Sequence, residues 1–318
     1  MININYMKRI IITGGTGHIG SYLIRNLHIL LPNIEIYILD NMSTNRYCSL
    51  FSLPEESNYK FLHLDLTKCS IADIPDSDLT IHLAAKTDAA QSAKFEDEFY
   101  SNNLNSTKKI IEYVNNNNSK LLFASSTSIY GSQSNLVDEN CNESELNPQS
   151  PYADVKLEEE KLIKTVFNKI KKKYLILRLG TIYGFAPGIR FHTAVNKFCY
   201  QASIGKPLTI WKTAYEQKRP YLGLSDLNLA ICHIIKHNLI NNETFNLVSH
   251  NMKVREIIEI IKQKLEVTIE FVEHEIMNQL SFEVSNKKFL NTNFKFNSDI
   301  KNEIYETLNK LRHLKNEV

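Results

Sequence analysis

Thr13-Gly14-Gly15-Thr16-Gly17-His18-Ile19-Gly20 follows directly on the β-branched run Arg9-Ile-Ile-Ile-Thr13 and leads into an apolar helical pattern over His18 to Leu31. Gly15, Gly17 and Gly20 satisfy G-x-G-x-x-G, and Gly14, Gly17 and Gly20 satisfy the related T-G-x-x-G-x-x-G. Without β-carbons the backbone turns sharply and comes close to a pyrophosphate, whose charge meets the N–H groups and dipole at the helix start. A glycine string alone also fits a plain tight turn; the strand before it and the helix after it favour a dinucleotide. Gly14, Gly17, His18, Ile19 and Gly20 are therefore the first candidate cofactor contacts.

Outward from this motif, short apolar runs alternate with longer amphipathic stretches, the pattern of a parallel sheet crossed over by helices. Arg9–Thr13, Ile34–Leu39, Tyr59–Leu64, Leu79–Leu83, Lys120–Ala124 and Tyr174–Leu179 read as strands, and His18–Leu31, Phe95–Val114 and Pro151–Lys171 as helices. After Gly180 the rhythm changes. Helices are expected at His192–Ala202, Asp226–His237, Arg255–Leu265 and Ser298–Leu314, with strands at Leu208–Trp211, Thr244–Leu247 and Val267–Phe271. The expected fold class is α/β: a Rossmann-type doubly wound parallel sheet over residues 1–180, with a smaller substrate-binding lobe over 181–318 whose elements interleave with the first.

Bulk properties narrow the function without naming it. Lys plus Arg number 37 against 35 Asp plus Glu, a formal charge of +2, so no basic footprint for nucleic acid is present. No apolar run reaches the roughly 18 residues of a membrane span, and Met1 to Met7 lacks the charged start of a signal peptide. Cys48, Cys69, Cys141, Cys199 and Cys232 are scattered without C-x-x-C or zinc spacing, which reads as reduced thiols in a cytoplasmic protein with no metal.

Further candidates sit at strand ends. Asp40 ends the second strand, 20 residues after Gly20, where a carboxylate takes the ribose hydroxyls of NAD and repels the extra phosphate of NADP. Asp65-Leu66 follows the third strand, where a carboxylate can accept from the adenine amino group or simply form a turn. Leu83-Ala84-Ala85 ends the fourth, small enough to pass beneath a cofactor, with His82 read as a core residue. In Ser150-Pro-Tyr152-Ala-Asp-Val-Lys156, Tyr152 and Lys156 are four apart and share a helix face. A free phenol is a poor base at neutral pH, but a neighbouring ammonium and a positively charged nicotinamide ring both favour its phenolate, which makes Tyr152 a candidate general base.

Together with Ser125-Ser126-Thr127-Ser128-Ile-Tyr130, these motifs resemble the extended short-chain dehydrogenase/reductases, the NAD-dependent nucleotide-sugar epimerases and dehydratases, and they fall in that family's order over nearly the whole chain. The resemblance implies that Ser126 hydrogen-bonds the reacting sugar hydroxyl, that Tyr152 is the acid/base, and that Lys156 grips the nicotinamide ribose. It adds Asn41 and Asn103 to the cofactor site. Arg219 in Arg219-Pro-Tyr-Leu-Gly-Leu-Ser-Asp226 and Asn196 are implied contacts to a nucleotide diphosphate, for which an arginine fork suits the phosphate geometry. Arg190 reads as a surface or supporting residue. A homodimer through the Phe95–Val114 and Pro151–Lys171 helices is likewise implied.

Members of this group that dehydrate typically read Thr-Asp-Glu where this chain has Ser126-Thr127-Ser128, so an epimerase is expected ahead of a dehydrogenase or ketoreductase, and a dehydratase or a non-catalytic cofactor-binding module further behind. Thr181 and Thr87 replace an Asn and a Lys of the galactose-pathway epimerases. They are candidate substrate contacts together with Thr127, and they leave open an amino sugar, uronic acid, deoxysugar or heptose.

Overall fold

In the computed structural model, which describes residues 7–131, 136–273 and 282–311, the first strand divides its side chains between two cores. β1 (Arg9–Thr13) sends Ile10 and Ile12 into one hydrophobic cluster and Ile11 into another, so both its faces are covered. The chain continues through α1 (His18–Leu30), β2 (Glu35–Asp40), β3 (Asn58–His63), β4 (Leu79–His82), a single turn α2 (Ala89–Ser92) and α3 (Glu96–Asn116). Then come β5 (Lys120–Ser126), a short β6 (Leu136–Val137), α4 (Pro151–Ile170) and β7 (Tyr174–Leu179).

The second half holds β8 (Thr181–Tyr183), α5 (Ala194–Ser203), β9 (Leu208–Trp211), β10 (Lys218–Gly223), α6 (Leu224–Lys236) and β11 (Glu243–Leu247). It ends with β12 (His250–Lys253), α7 (Val254–Lys262), β13 (Ile269–Val272), β14 (Glu283–Val284), α8 (Lys287–Leu290) and α9 (Ile300–Leu311). The expected continuation of the last helix to Leu314, and residues 1–6, fall outside the described residues.

Seven strands form one parallel sheet in the order β11-β7-β5-β4-β1-β2-β3. The order reverses between β1 and β4, and in such sheets a crevice opens there beyond the carboxyl ends of the strands. Leu23 and Leu27 of α1 join Leu227 and Ile231 of α6 on one face. Ile110 and Val114 of α3 join Ile163 and Phe167 of α4 on the other. Each such side chain stabilises the fold by roughly 1.5–3 kcal/mol relative to exposure. A third cluster, built on α5, α7, α9 and β9, fills the C-terminal part beside a small β12-β10-β8 sheet.

The start of α4 is fixed locally. Ser150 is its N-cap, accepting from the Ala153 amide at 3.2 Å, and Pro151 occupies the first helical position, where its missing N–H costs nothing. That cap sets the rotation of the helix that carries Tyr152 and Lys156.

Candidate active site

The glycine loop closes tightly against its own helix. Gly14 adopts φ +66°, and a Cβ on Gly20 would lie 2.5 Å from Gly15 Cα, so a side chain at either position forces the turn open. Gly17 is the N-cap of α1 and offers no side chain to the first-turn amides, which leaves the helix start available to an anion. Gly14, Gly17, His18, Ile19 and Gly20 all line one cleft of about 600 Å³, and the loop therefore fits a dinucleotide pyrophosphate.

The other expected cofactor residues arrive from neighbouring strand ends. Asp40 accepts from the Thr16 amide at 3.0 Å and the Met42 amide at 2.9 Å, which holds its carboxylate at the cleft wall. Asn41 lines the cleft beside it and accepts from the Ser43 amide at 3.1 Å. Asp65 accepts from the Thr67 amide and hydroxyl at 2.9 and 2.7 Å, a turn closed by its own side chain. Burial works against its charge, but Thr67 and nearby Lys68 hold the carboxyl below its usual range. Asp65, Leu66, Leu83, Ala84 and Ala85 face the same cleft. Asn103 stands behind it: its side chain accepts from the Lys86 amide at 2.7 Å and donates to the Lys86 carbonyl at 3.0 Å, fixing the loop after β4 rather than lining the cleft. His82 is buried, as expected of a core residue.

The chemical groups meet at the middle of the cleft. Ser126, at the end of β5, and Tyr152 and Lys156, from the first turns of α4, all line it. Ser126 Oγ accepts from the Ser128 amide at 3.2 Å and from the Ser128 hydroxyl at 2.9 Å. Its own O–H is thereby left to donate elsewhere. Thr127 is buried and donates to the Leu179 carbonyl at 3.3 Å. Lys156 is buried, its ammonium 3.0 Å from Glu159 and 4.5 Å from the centre of the Phe123 ring.

On the far side, Thr87, Thr181 and Arg219 line the cleft, with Arg219 donating to Gln217 at 2.9 Å. Asn196 does not line it: it is fully buried, and its amide donates to the Arg190 carbonyl at 3.3 Å. Arg190 is the larger departure from the sequence reading. Its side chain reaches into the cleft wall and donates to Thr87, its Nε has no hydrogen-bond partner among the described residues, and burial pushes its pKa down. His192 beside it is held down to about 4, by burial first and the Arg190 charge second. Arg46, on the loop after β2, also lines the cleft and was not foreseen. For Arg190 the available signal was its place in the Gly- and Pro-bearing loop Gly184 to Phe191, with no acidic neighbour in sequence.

The NAD dependent epimerase/dehydratase family matches residues 10–247. The chain belongs to this family. NAD is its cofactor. Among curated relatives, a dTDP-D-glucose 4,6-dehydratase of Dictyostelium discoideum is 31% identical over 256 residues, 74% of this chain and 57% of that protein. An uncharacterized UDP-glucose epimerase of Bacillus subtilis is 27% identical over 249 residues, 75% of this chain and 76% of its own length. The present chain thus spans little more than half of the first. Among solved structures, the UDP-glucuronic acid 4-epimerase of Bacillus cereus, in complex with UDP-glucuronic acid and NAD, superposes with a TM-score of 0.83 at 22% identity. That superposition covers 96% of this chain and 99% of that one and shows a shared fold. No helix among the described residues is long and apolar enough to cross a membrane.

Proposed function

We propose that this family member is a nucleotide-sugar 4-epimerase. The observation that carries the reading is the convergence of Ser126, Tyr152 and Lys156 on the cleft wall that the glycine loop also lines. NAD, when bound, supplies a reversible hydride acceptor for one sugar carbon. Tyr152 takes the proton of the hydroxyl on that carbon and later returns it, Ser126 donates to the same oxygen, and Lys156 holds the nicotinamide ribose. Arg219 faces the diphosphate. Rotation of the keto-sugar within the cleft would present its opposite face before Tyr152 returns the proton, so that a hydride returned to that face would invert the centre.

Elimination of water would need a further acid and base near the sugar. Positions 127 and 128 carry hydroxyls engaged with Leu179 and Ser126. The carboxylates on the cleft are engaged as well: Asp40 and Asp65 with amides, Asp88 as the N-cap of α2, and Glu98 in an ion pair with Lys86 at 2.5 Å. This favours epimerisation over dehydration, despite the dehydratase among the relatives.

One observation favours a specific substrate branch. The Arg190 guanidinium, at the cleft wall with its buried Nε without a hydrogen-bond partner among the described residues, suits a sugar that brings its own carboxylate, a uronic acid. We also propose that two copies of the chain pair through α3 and α4; Phe95, just ahead of α3, is 51% exposed.

Product analysis by NMR after incubation with UDP-glucose, UDP-N-acetylglucosamine and UDP-glucuronic acid tests these readings. Inversion at C4 without consumption of added NAD is expected, fastest with the uronic acid. A 4-keto-6-deoxy product, or stoichiometric NADH, contradicts the epimerase reading.

A further inference from the structure

Glu159 has no part in the steps above, yet its Oε2 lies 3.0 Å from Lys156 Nζ, with the lysine side chain 4% and the glutamate 0% exposed. That ammonium is the only polar contact of Oε2 among the described residues. Oε1 accepts from the Thr107 hydroxyl at 2.5 Å. The two charged residues stand three apart on α4, which makes them neighbours on one helix face.

The contacts continue inward, and counting donors assigns their direction. Thr13 Oγ1 accepts from the amides of Leu83 and Ala84 at 3.1 and 3.2 Å, so its own proton goes to His82 Nδ1 at 2.7 Å. Burial, with Lys156 second, holds His82 down to about 3, so the ring is neutral. Its Nε2–H then donates to Thr107 Oγ1 at 3.1 Å, and the Thr107 proton goes on to Glu159. The Leu83 amide is shared with the Thr13 carbonyl at 3.1 Å, and beyond it each hydroxyl or ring donor has one acceptor, so the chain runs one way, from the loop after β4 to the carboxylate facing Lys156.

We propose that Glu159 is a positioning residue that fixes the Lys156 ammonium and ties it, through Thr107, His82 and Thr13, to the Leu83–Ala84 backbone beneath the cofactor. This rests on the reading of Lys156 as the group that holds the nicotinamide ribose. A lysine ammonium on a flexible four-carbon stem has many rotamers, and a buried one needs a compensating charge. The Phe123 face supplies part of that need, and Glu159 supplies the charge.

The test measures NAD dissociation constants by calorimetry for wild type, Glu159→Gln, Lys156→Met and the double variant, with circular dichroism and Tm as fold checks. Glu159→Gln keeps the shape and an acceptor for Thr107 while removing the charge. It is expected to weaken NAD by about tenfold, the lower range seen when an outer partner of a binding group is removed, and to add less than about twofold in the Lys156→Met background. Unchanged affinity, or equal weakening in both backgrounds, overturns the proposal. Should Glu159→Gln fail to fold, Lys156→Met/Glu159→Leu, which carries neither charge, is expected to fold and bind NAD no worse than Lys156→Met; weaker binding overturns the proposal. A wild type that binds no NAD defeats the underlying reading instead, and the wild-type arm alone reports it.

Discussion

Arg178 and Glu160 are both buried, and their pairing holds the active site's framework. Arg178 donates to Glu160 from Nε at 3.0 Å and from Nη2 at 2.8 Å, and from Nη1 to the Tyr130 hydroxyl at 2.9 Å. Ser125, next to Ser126, donates to the same carboxylate at 2.6 Å. Burial alone would raise the Glu160 carboxyl, but the guanidinium holds it below its usual range. One carboxylate thus joins the end of β5, next to Ser126, to α4 and β7. Removing one partner leaves the other charged and buried, so Arg178→Leu is expected to cost about 3–5 kcal/mol in urea unfolding. Replacing both with apolar residues is expected to cost far less. A single variant as stable as wild type would show that the pair does not anchor these elements.

Elements with a strong period were readable from sequence, and those whose role depends on partners were not. β1, β7 and β9 match the expected Arg9–Thr13, Tyr174–Leu179 and Leu208–Trp211, because continuous apolar runs admit few alternatives. β10 was missed, since Arg219-Pro220 reads as a break, yet it is the central strand of the β12-β10-β8 sheet. β12 was missed because none of its residues is fully buried, so no apolar pattern marks it. Of the site, the glycine loop and the Tyr152–Lys156 pair were legible as local spacing. Arg190 and Arg46 were not, since only tertiary folding brings their loops over the cleft.

α9 carries an element-scale prediction of its own. Glu303 accepts from the Ser225 hydroxyl and sits beside Asp226, and its carboxyl is pushed up to about 7, chiefly by burial. Between its ordinary value near 4.5 and about 7, the folded chain keeps a proton that the unfolded chain has released, so stability falls as pH rises through that window. Glu303→Gln is expected to flatten this fall, raising Tm at pH 8 relative to wild type with little change at pH 5. Parallel Tm profiles for the two proteins would remove Glu303 as the source.

Across the whole molecule, the chain is not laid out as one half and then the other. β11 comes after β8, β9 and β10 yet pairs with β7 at the edge of the main sheet, and α6 packs on α1 behind the glycine loop. Gly188 N donates to Ser21 at 2.9 Å, and His18 contacts the Gly184 carbonyl at 2.8 Å, so the loop that delivers Arg190 is docked on the cofactor-binding helix. The two walls of the cleft are therefore parts of one packed body. In the proposed mechanism, hydride transfer across this cleft depends on the Tyr152 phenol.

The most direct measurement of that claim compares wild type with Tyr152→Phe, each saturated with NAD, on mixing with the nucleotide sugar found to react. Wild type is expected to develop the reduced-nicotinamide absorbance transiently within a single turnover and to lose it as the hydride returns. The variant is expected to bind NAD as tightly and form the reduced cofactor about 10²- to 10⁴-fold more slowly. Equal rates of reduction in the two proteins would contradict the account.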